Sequence, residues 1–297
     1  GLKLELDLKK GALETDIKSL KKAARKTIGP ELEKRIQIVI DTGLVELKND
    51  SKIYWNNATI GKLIPGKDYL SPNIELLVDD MLEQNQKSKL INFLEKWLKN
   101  KISSVLKSLY DLKDLKDKNS SIKALAYQLY ENNGVLKRDG VSEYLKKLDQ
   151  NDRKTLRDLG VKFGRYHVFL FKLIKPEPVS LRTLLWKNHN QKYFNLQPPT
   201  FGLNFLNDDK IQNKNFMLLC GFEKFNNFYI RIDILERLFM QIINSDTKDM
   251  KEIKIIPEML NLLGCKKDDF KQLLRAMSYK ILEKDNEVFF KYNPKKK

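Results

Sequence analysis

The last seventy residues, 228–297, carry the pattern that most constrains how this chain can fold. Pro257 suits the first turn of a helix and Gly264 suits the position just past its end, so a short helix is fixed between them. Apolar periodicity places a helix before this one and another after it. The order of elements predicts a winged helix-turn-helix module. The elements are a helix at 230–242, a strand at 253–256, helices at 257–263 and 268–280, and β-prone runs at 279–283 and 287–292.

Helical spacing of apolar residues dominates the rest of the chain. An apolar stripe runs through 74–112, and near the start Pro30 separates helices predicted at 12–29 and 30–40. We therefore predict a mainly α fold, a helical bundle with small β-hairpins and the C-terminal winged-helix module. Residues 1–70 are expected to form helices plus a hairpin around Asn56-Asn57, compatible with a winged-helix-like unit, and residues 71–200 a helical domain that is irregular from residue 160. Residues 201–227 are expected to be a connector that contains a strand at 215–220, and residues 228–297 the winged-helix module.

Positive charge is abundant and unevenly distributed. The chain has 56 Lys and Arg against 39 Asp and Glu, a formal net charge of +17. Residues 159–200 contain seven of these bases and a single acid, Glu177. Because such a surplus attracts phosphate backbones, we expect RNA or DNA as the partner.

Several sequence features bear on the environment of the chain. It contains no apolar run of about 20 residues and no signal-peptide pattern near residue 1, so we expect a cytoplasmic protein without a membrane partner.

Cys220 and Cys265 are far apart and lack metal-ligand spacing, which favours two buried, reduced thiols. The first residue is Gly1 rather than Met, and we expect a tag remnant followed by a piece of a longer protein.

The run from Leu159 to Pro176 interleaves bases with aromatic residues. Such a mixture can grip a nucleic-acid strand through phosphate contacts and base stacking. The other interpretation is that the aromatic residues are core and the bases are their solvated neighbours. We favour core positions for Val168, Phe169, Leu170, Leu173 and Trp186. The candidate contact residues in this run are Lys162, Arg165, Tyr166, His167, Lys172 and Lys175.

A second group of bases lies on the third helix of the C-terminal module. Lys267, Lys271 and Arg275 would face phosphates if this helix entered a groove of a duplex. The alternative is that the module only packs against other parts of a larger machine.

Known catalytic motifs are absent from the sequence. There is no phosphate-binding loop of the Gly-x-x-x-x-Gly-Lys-Ser/Thr type, and the two histidines, His167 and His189, lie outside zinc-hydrolase and nucleophile-elbow contexts. Neighbouring acids such as Asp79-Asp80 point in different directions on a helix. We expect no enzymatic activity, no metal and no cofactor in this chain, and we assign no catalytic residue.

Six stretches, in order and spanning nearly the whole chain, resemble the C-terminal region of alphaproteobacterial superfamily-two helicases, which are Ski-like and related to the mitochondrial degradosome RNA helicase. The run from Gly160 to Phe169 is the most specific of them. The stretches are IYWNNATIGKLIPG (53–66), LSPNIELL (70–77), LRDLGVKFGRYHVF (156–169), LRTLLW (181–186), PEMLNLLGC (257–265) and LRAMSY (274–279).

The resemblance implies membership in a helicase rather than helicase activity. In such proteins ATP and Mg bind in two RecA-like domains that precede this region, and those domains are not in the sequence. The implied partners are these core domains in the same parent chain. No residue role is carried over, because the family motifs with known roles belong to the core.

Together these features predict a non-catalytic accessory region that binds or guides RNA or DNA for a helicase. The alternative is a scaffold that docks a protein partner, such as a nuclease or the ribosome. An exposed apolar groove would favour the scaffold, and a continuous positive channel would favour strand binding.

Overall fold

The computed structural model of the chain corrects the predicted fold class. It describes residue 2 and the ranges 14–78, 82–113, 115, 119–207, 213–245 and 252–293. Of these residues 52% are helical and 20% lie in strands, which form four small antiparallel sheets. The protein is therefore a mixture of α and β structure, and the prediction of a mainly α bundle is wrong. Strands of three or four residues give too little alternation for a sequence pattern to reveal them.

Two compact units make up the chain. The first comprises Gly1–Val105 and Leu184–Leu196, and the second comprises Leu106–Thr183 and Gln197–Lys297. This division is coarser than the four segments expected from the sequence, which stay a prediction.

The first unit combines two long helices with a four-stranded antiparallel sheet. Its elements are α1 (Glu14–Thr42), β1 (Glu46–Leu47), β2 (Lys52–Trp55), β3 (Ala58–Ile64), β4 (Asn73–Leu76) and α2 (Gln84–Val105). The strands follow one another in the order β1-β2-β3-β4. Asn56 and Asn57 both have positive φ, 45° and 62°, and form the two-residue turn between β2 and β3. The predicted hairpin is confirmed, within a larger sheet than expected.

Helix α1 runs through Pro30, where a boundary between two helices is predicted from the sequence. A proline inside a helix removes a hydrogen bond and costs about 3 kcal/mol. Leu32, Ile36 and Val39, which follow it on one face, are buried, and their packing offsets this cost. The predicted helix start at residue 12 lies outside the described residues.

The second unit contains the other elements. In chain order these are α3 (Lys107–Tyr110), α4 (Ser120–Glu131), β5 (Val135–Lys137), α5 (Ser142–Lys146), α6 (Gln150–Asp158), β6 (Val161–Phe163), β7 (His167–Leu170), α7 (Pro176–His189), β8 (Phe205–Asn207), α8 (Lys214–Leu219), β9 (Phe222–Phe225), β10 (Phe228–Arg231), α9 (Ile232–Ser245), β11 (Ile253–Lys254), α10 (Pro257–Leu263), α11 (Lys267–Ala276), β12 (Tyr279–Lys284) and β13 (Glu287–Tyr292). Helix α7 begins in this unit and ends in the first.

One succession of elements occurs twice in the second unit. Residues 120–170, the first module, run helix, strand, helix, helix, strand, strand, and the sheet order is β5-β7-β6. Residues 232–292, the second module, repeat this succession with the sheet order β11-β13-β12. The segment from residue 160, predicted as irregular, thus contains the hairpin of the first module.

The winged helix-turn-helix assignment for 228–297 is not confirmed, although parts of its local pattern are. Pro257 opens α10, and Gly264 ends it in the left-handed conformation with φ 70°. In the first module, Asp149 caps α6 through a capping box with Asp152.

A third three-stranded sheet, in the order β8-β10-β9, lies between the modules in sequence. The predicted connector is therefore structured, and the strand expected at 215–220 is helix α8. Asn213 explains the difference, because its side chain accepts the backbone N–H of Phe216 and caps the helix. Part of the predicted connector, 208–212, lies outside the described residues.

The guanidinium of Arg182, on α7, fastens three segments of the second unit. It donates to the backbone carbonyls of Asn133 (2.8 Å), Leu173 (2.6 Å) and Leu219 (3.0 Å). Arg182 is fully buried, so each bond forms away from competing water. This residue thereby ties together the segments that contain Asn133, Leu173 and Leu219.

Candidate nucleic-acid interface

The turn between β6 and β7 is held by one carboxylate from α9. Glu236 accepts the backbone N–H groups of Arg165 (2.5 Å), Tyr166 (2.9 Å) and His167 (2.9 Å). A side chain at Gly164 would collide with this carboxyl group, which explains the glycine. The turn is thus fixed in position, with the Arg165 side chain exposed.

A buried charge network lies behind the turn. The Nε2 of His167 is 2.9 Å from Glu223, its Nδ1 is 3.6 Å from Glu236, and Lys137 pairs with Glu223 at 2.8 Å. Burial alone would lower the pKa of His167, but the hydrogen bond with Glu223 and the nearby negative charge of Glu236 outweigh it and raise that pKa. Burial opposes ionisation of both glutamates as well, yet their hydrogen bonds hold the pKa of each below its usual range.

A basic groove of about 760 Å³ opens beside the turn. Its cations come from the first module, from Lys175, from the end of β10 and from α9. Both of its carboxylates already have partners: Asp233 pairs with Arg231 at 2.7 Å, and Glu236 holds the turn. The seven cationic side chains that line it are Arg138, Arg157, Lys162, Arg165, Lys175, Arg231 and Arg237. Within the described part of the chain, six of them, all but Arg231, have no ion pair.

Aromatic rings hold three of these cations in place. The Arg157 guanidinium lies 5.7 Å from the centroid of the Phe163 ring, and the Lys175 ammonium lies 4.1 Å from that of Phe171. Arg165 lies 5.5 Å from the centroid of the Phe239 ring. Such contacts are worth about 0.5–1 kcal/mol each at exposed sites and reduce the freedom of the cation. The groove therefore presents charges in defined places.

A second cavity of about 600 Å³ continues the groove. Arg165 and Phe239 line both cavities, so the two share a wall. On its far side Lys291 and Tyr292 come from β13. The Tyr166 ring meets Phe239 edge-on at 5.4 Å. Burial, together with the neighbouring Tyr279 side chain, raises the Tyr166 pKa, so its hydroxyl stays protonated.

Comparison with known proteins finds no matching family model, curated protein or solved structure. Among the described residues, no helix is long and apolar enough to cross a membrane. In the same residues, no three histidine, cysteine or acidic side chains come together as a metal site.

The predicted strand-contact residues have different positions. Lys162, Arg165 and Lys175 line the groove, and Tyr166 lines the second cavity. His167 is only 2% exposed, because it is the centre of the buried network, and so it offers no surface to a strand. Lys172 is exposed but lines neither cavity.

The three predicted residues of α11 line neither cavity. Lys267 and Arg275 are exposed. Lys271 is largely covered and pairs with Glu283 at 2.7 Å. These residues therefore form no common site with the groove, and a role in duplex contact remains a separate prediction.

Four groove cations were not identified by sequence reasoning: Arg138, Arg157, Arg231 and Arg237. They are spread over about a hundred residues, and only the fold brings them together. A weak signal exists on α9, where Glu236 and Arg237 break an otherwise strongly apolar helix.

Proposed function

We propose that this chain is a non-catalytic accessory region of a helicase and that it binds RNA or DNA in the basic groove. The observation that supports this most directly is the balance of charge. Seven cations line the groove, and both lining carboxylates are engaged by partners inside the protein. A polyanion entering the groove would meet cations with little opposing charge.

The helicase part of the proposal rests on the six stretches that resemble helicase C-terminal regions. The run from Gly160 to Phe169, the most specific of them, supplies Lys162 and Arg165 to the groove. On this proposal the region works beside the RecA-like core in the same parent chain, in the cytoplasm, and ATP and Mg are needed only by that core.

A docking scaffold for a protein partner is the second candidate. Met240 and Ile243, on the outer face of α9, are 54% and 48% exposed and line the two cavities. Exposed apolar residues of this kind are also found at protein interfaces. The surrounding cations make a nucleic acid the better supported occupant.

The test is the affinity for labelled single-stranded RNA and DNA across a salt series. We compare the unaltered chain with Lys162→Ala/Arg165→Ala, which removes two groove cations. The matched control is Lys267→Ala/Arg275→Ala, which removes two exposed cations from α11.

Binding that weakens steeply with salt is expected for the unaltered chain. The groove variant should bind more weakly, with a slope of log affinity against log salt that is shallower by about 1.4, or about 0.7 for each lost phosphate contact. The α11 control should keep the original slope. Absence of binding at low salt, or equal losses in both variants, would overturn the proposed groove.

A further inference from the structure

Tyr292 is an exposed aromatic ring held in a fixed position at the end of β13. It is 62% exposed, although its backbone pairs with Tyr279 across the sheet. Its ring meets that of Tyr279 edge-on at 5.5 Å, and Tyr279 in turn meets the buried Phe290 at 5.4 Å. The chain of rings anchors Tyr292 to the core of the second module while most of its surface stays open.

The surroundings of Tyr292 combine positive and apolar surface. It lines the second cavity together with Lys291 and Arg165, and with the apolar Ile243 and Met277. No carboxylate is among the described residues that line this cavity. Arg165 also lines the basic groove, so a chain of phosphates in the groove could continue toward Tyr292.

The rigid support of this ring has a second source. Tyr279 lines the same cavity as Tyr166, whose hydroxyl it influences, and Tyr166 follows Arg165 in the turn clamped by Glu236. The position of Tyr292 is therefore linked through Tyr279 to that of the Arg165 backbone. A ring and a cation that line the same cavity suit a ligand that repeats an aromatic group and a phosphate.

We propose that the ligand is a single strand of RNA or DNA and that one unpaired base stacks on Tyr292, a base-binding residue outside the basic segment. This rests on the proposed function. In a duplex each internal base is covered on both faces, so away from the duplex ends only an unpaired base can offer a face to the ring. A duplex would also leave Tyr292 and Ile243 without a role, because its exposed groups are mainly phosphates.

The test uses Tyr292→Ala, Tyr292→Phe and the control Tyr127→Ala, since Tyr127 is a similarly exposed tyrosine, 60%, on α4. Binding is measured with a single-stranded oligonucleotide and with the same sequence as a blunt duplex. A 2-aminopurine base in the single strand reports stacking by fluorescence quenching. Circular dichroism and thermal unfolding check that each variant is folded.

Loss of the ring should weaken single-strand binding by about 5- to 150-fold, the range for one stacked base. Tyr292→Phe should stay within about twofold of the unaltered chain, as should Tyr127→Ala, and 2-aminopurine quenching should be lost only in Tyr292→Ala. Salt-dependent binding that Tyr292→Ala leaves unchanged, or equal affinity for duplex, would overturn this inference and leave the groove proposal standing. No binding of either nucleic acid by the unaltered chain would overturn both.

Discussion

Glu236 contacts His167 twice: it accepts the backbone N–H at 2.9 Å and lies 3.6 Å from the ring Nδ1. The same carboxylate thus fixes the turn that presents Arg165 and takes part in the buried charge network. Since His167 also meets Glu223, its ring lies between two carboxylates. Protonation in this network is therefore coupled to the stability of the second unit.

The first prediction concerns pH and the variant His167→Gln. The pKa of His167 is raised above its ordinary 6.5, so its stabilising effect is complete below pH 6.5 and is lost as pH rises through the raised value. The pKa values of Glu223 and Glu236 are lowered from 4.5, so their contribution is complete above pH 4.5 and is lost as pH falls through the lowered values. The network stabilises most between about pH 4.5 and 6.5.

The measurement is the free energy of unfolding in denaturant at several pH values. The difference between the unaltered chain and His167→Gln should be largest near pH 5.5 and should shrink toward pH 8.5. His189→Gln removes the other histidine and is the control. A difference that does not change with pH would show that the imidazolium is not the stabilising form.

The second prediction is that Gly164→Ala destabilises the turn. The added Cβ would lie 2.5 Å from Oε2 of Glu236, so the Glu236 side chain must leave its position in the clamp, or the turn or α9 must move. Forcing atoms into an occupied space typically costs about 1–3 kcal/mol. Gly140→Ala is the matched control, because a Cβ there has no atom within 4 Å. Chemical denaturation measures both, and an equal effect of the two substitutions would contradict the clamp.

The third prediction is that Arg182→Leu lowers the free energy of unfolding by several kcal/mol. The substitution leaves two buried carbonyl groups and one partly buried carbonyl group without this donor, and each buried loss costs about 1–3 kcal/mol. Arg275→Leu is the control, since Arg275 is exposed. If Arg182→Leu changes stability no more than Arg275→Leu, then Arg182 does not fasten these segments.

Local signals in the sequence predicted local structure well. The two-residue turn at Asn56-Asn57 and the ends of α10 at Pro257 and Gly264 depend on backbone preferences of single residues, and these hold wherever the chain folds. The helix boundary predicted at Pro30 is wrong, because burial of the helix face that follows Pro30 outweighs the local tendency of proline to end a helix.

The site was predictable only in part. Lys162 and Arg165 lie in a basic segment that composition reveals, whereas Arg157 and Arg237 reach the same groove from two helices far apart in sequence. His167 is polar and lies among bases, which suggests a surface residue, but two glutamates more than fifty residues away make its burial favourable. The pairing of His167 with Glu223 or with Glu236 cannot be recognised from the residues next to it in the sequence.

The fourth prediction separates the groove from long-range attraction by the whole positive chain. Arg237 is exposed, lines the groove beside Glu236 and has no ion pair among the described residues, so Arg237→Glu should add a repulsive charge where phosphates bind. Arg275→Glu makes the same change in net charge on α11, outside the groove. Both variants lose the same long-range attraction, which salt screens over about 10 Å at 0.1 M.

The affinity for a single strand is measured for both variants at several salt concentrations. Arg237→Glu should weaken binding at least tenfold more than Arg275→Glu and should make the salt slope shallower by about 0.7, as expected for one lost phosphate contact. The two affinities should converge as salt rises, because the repulsion is screened. Equal losses in both variants would mean that net charge, rather than the groove, attracts the strand. A larger loss in Arg275→Glu would instead favour α11 as the contact surface, because only a direct phosphate contact there could outweigh the reversal at Arg237.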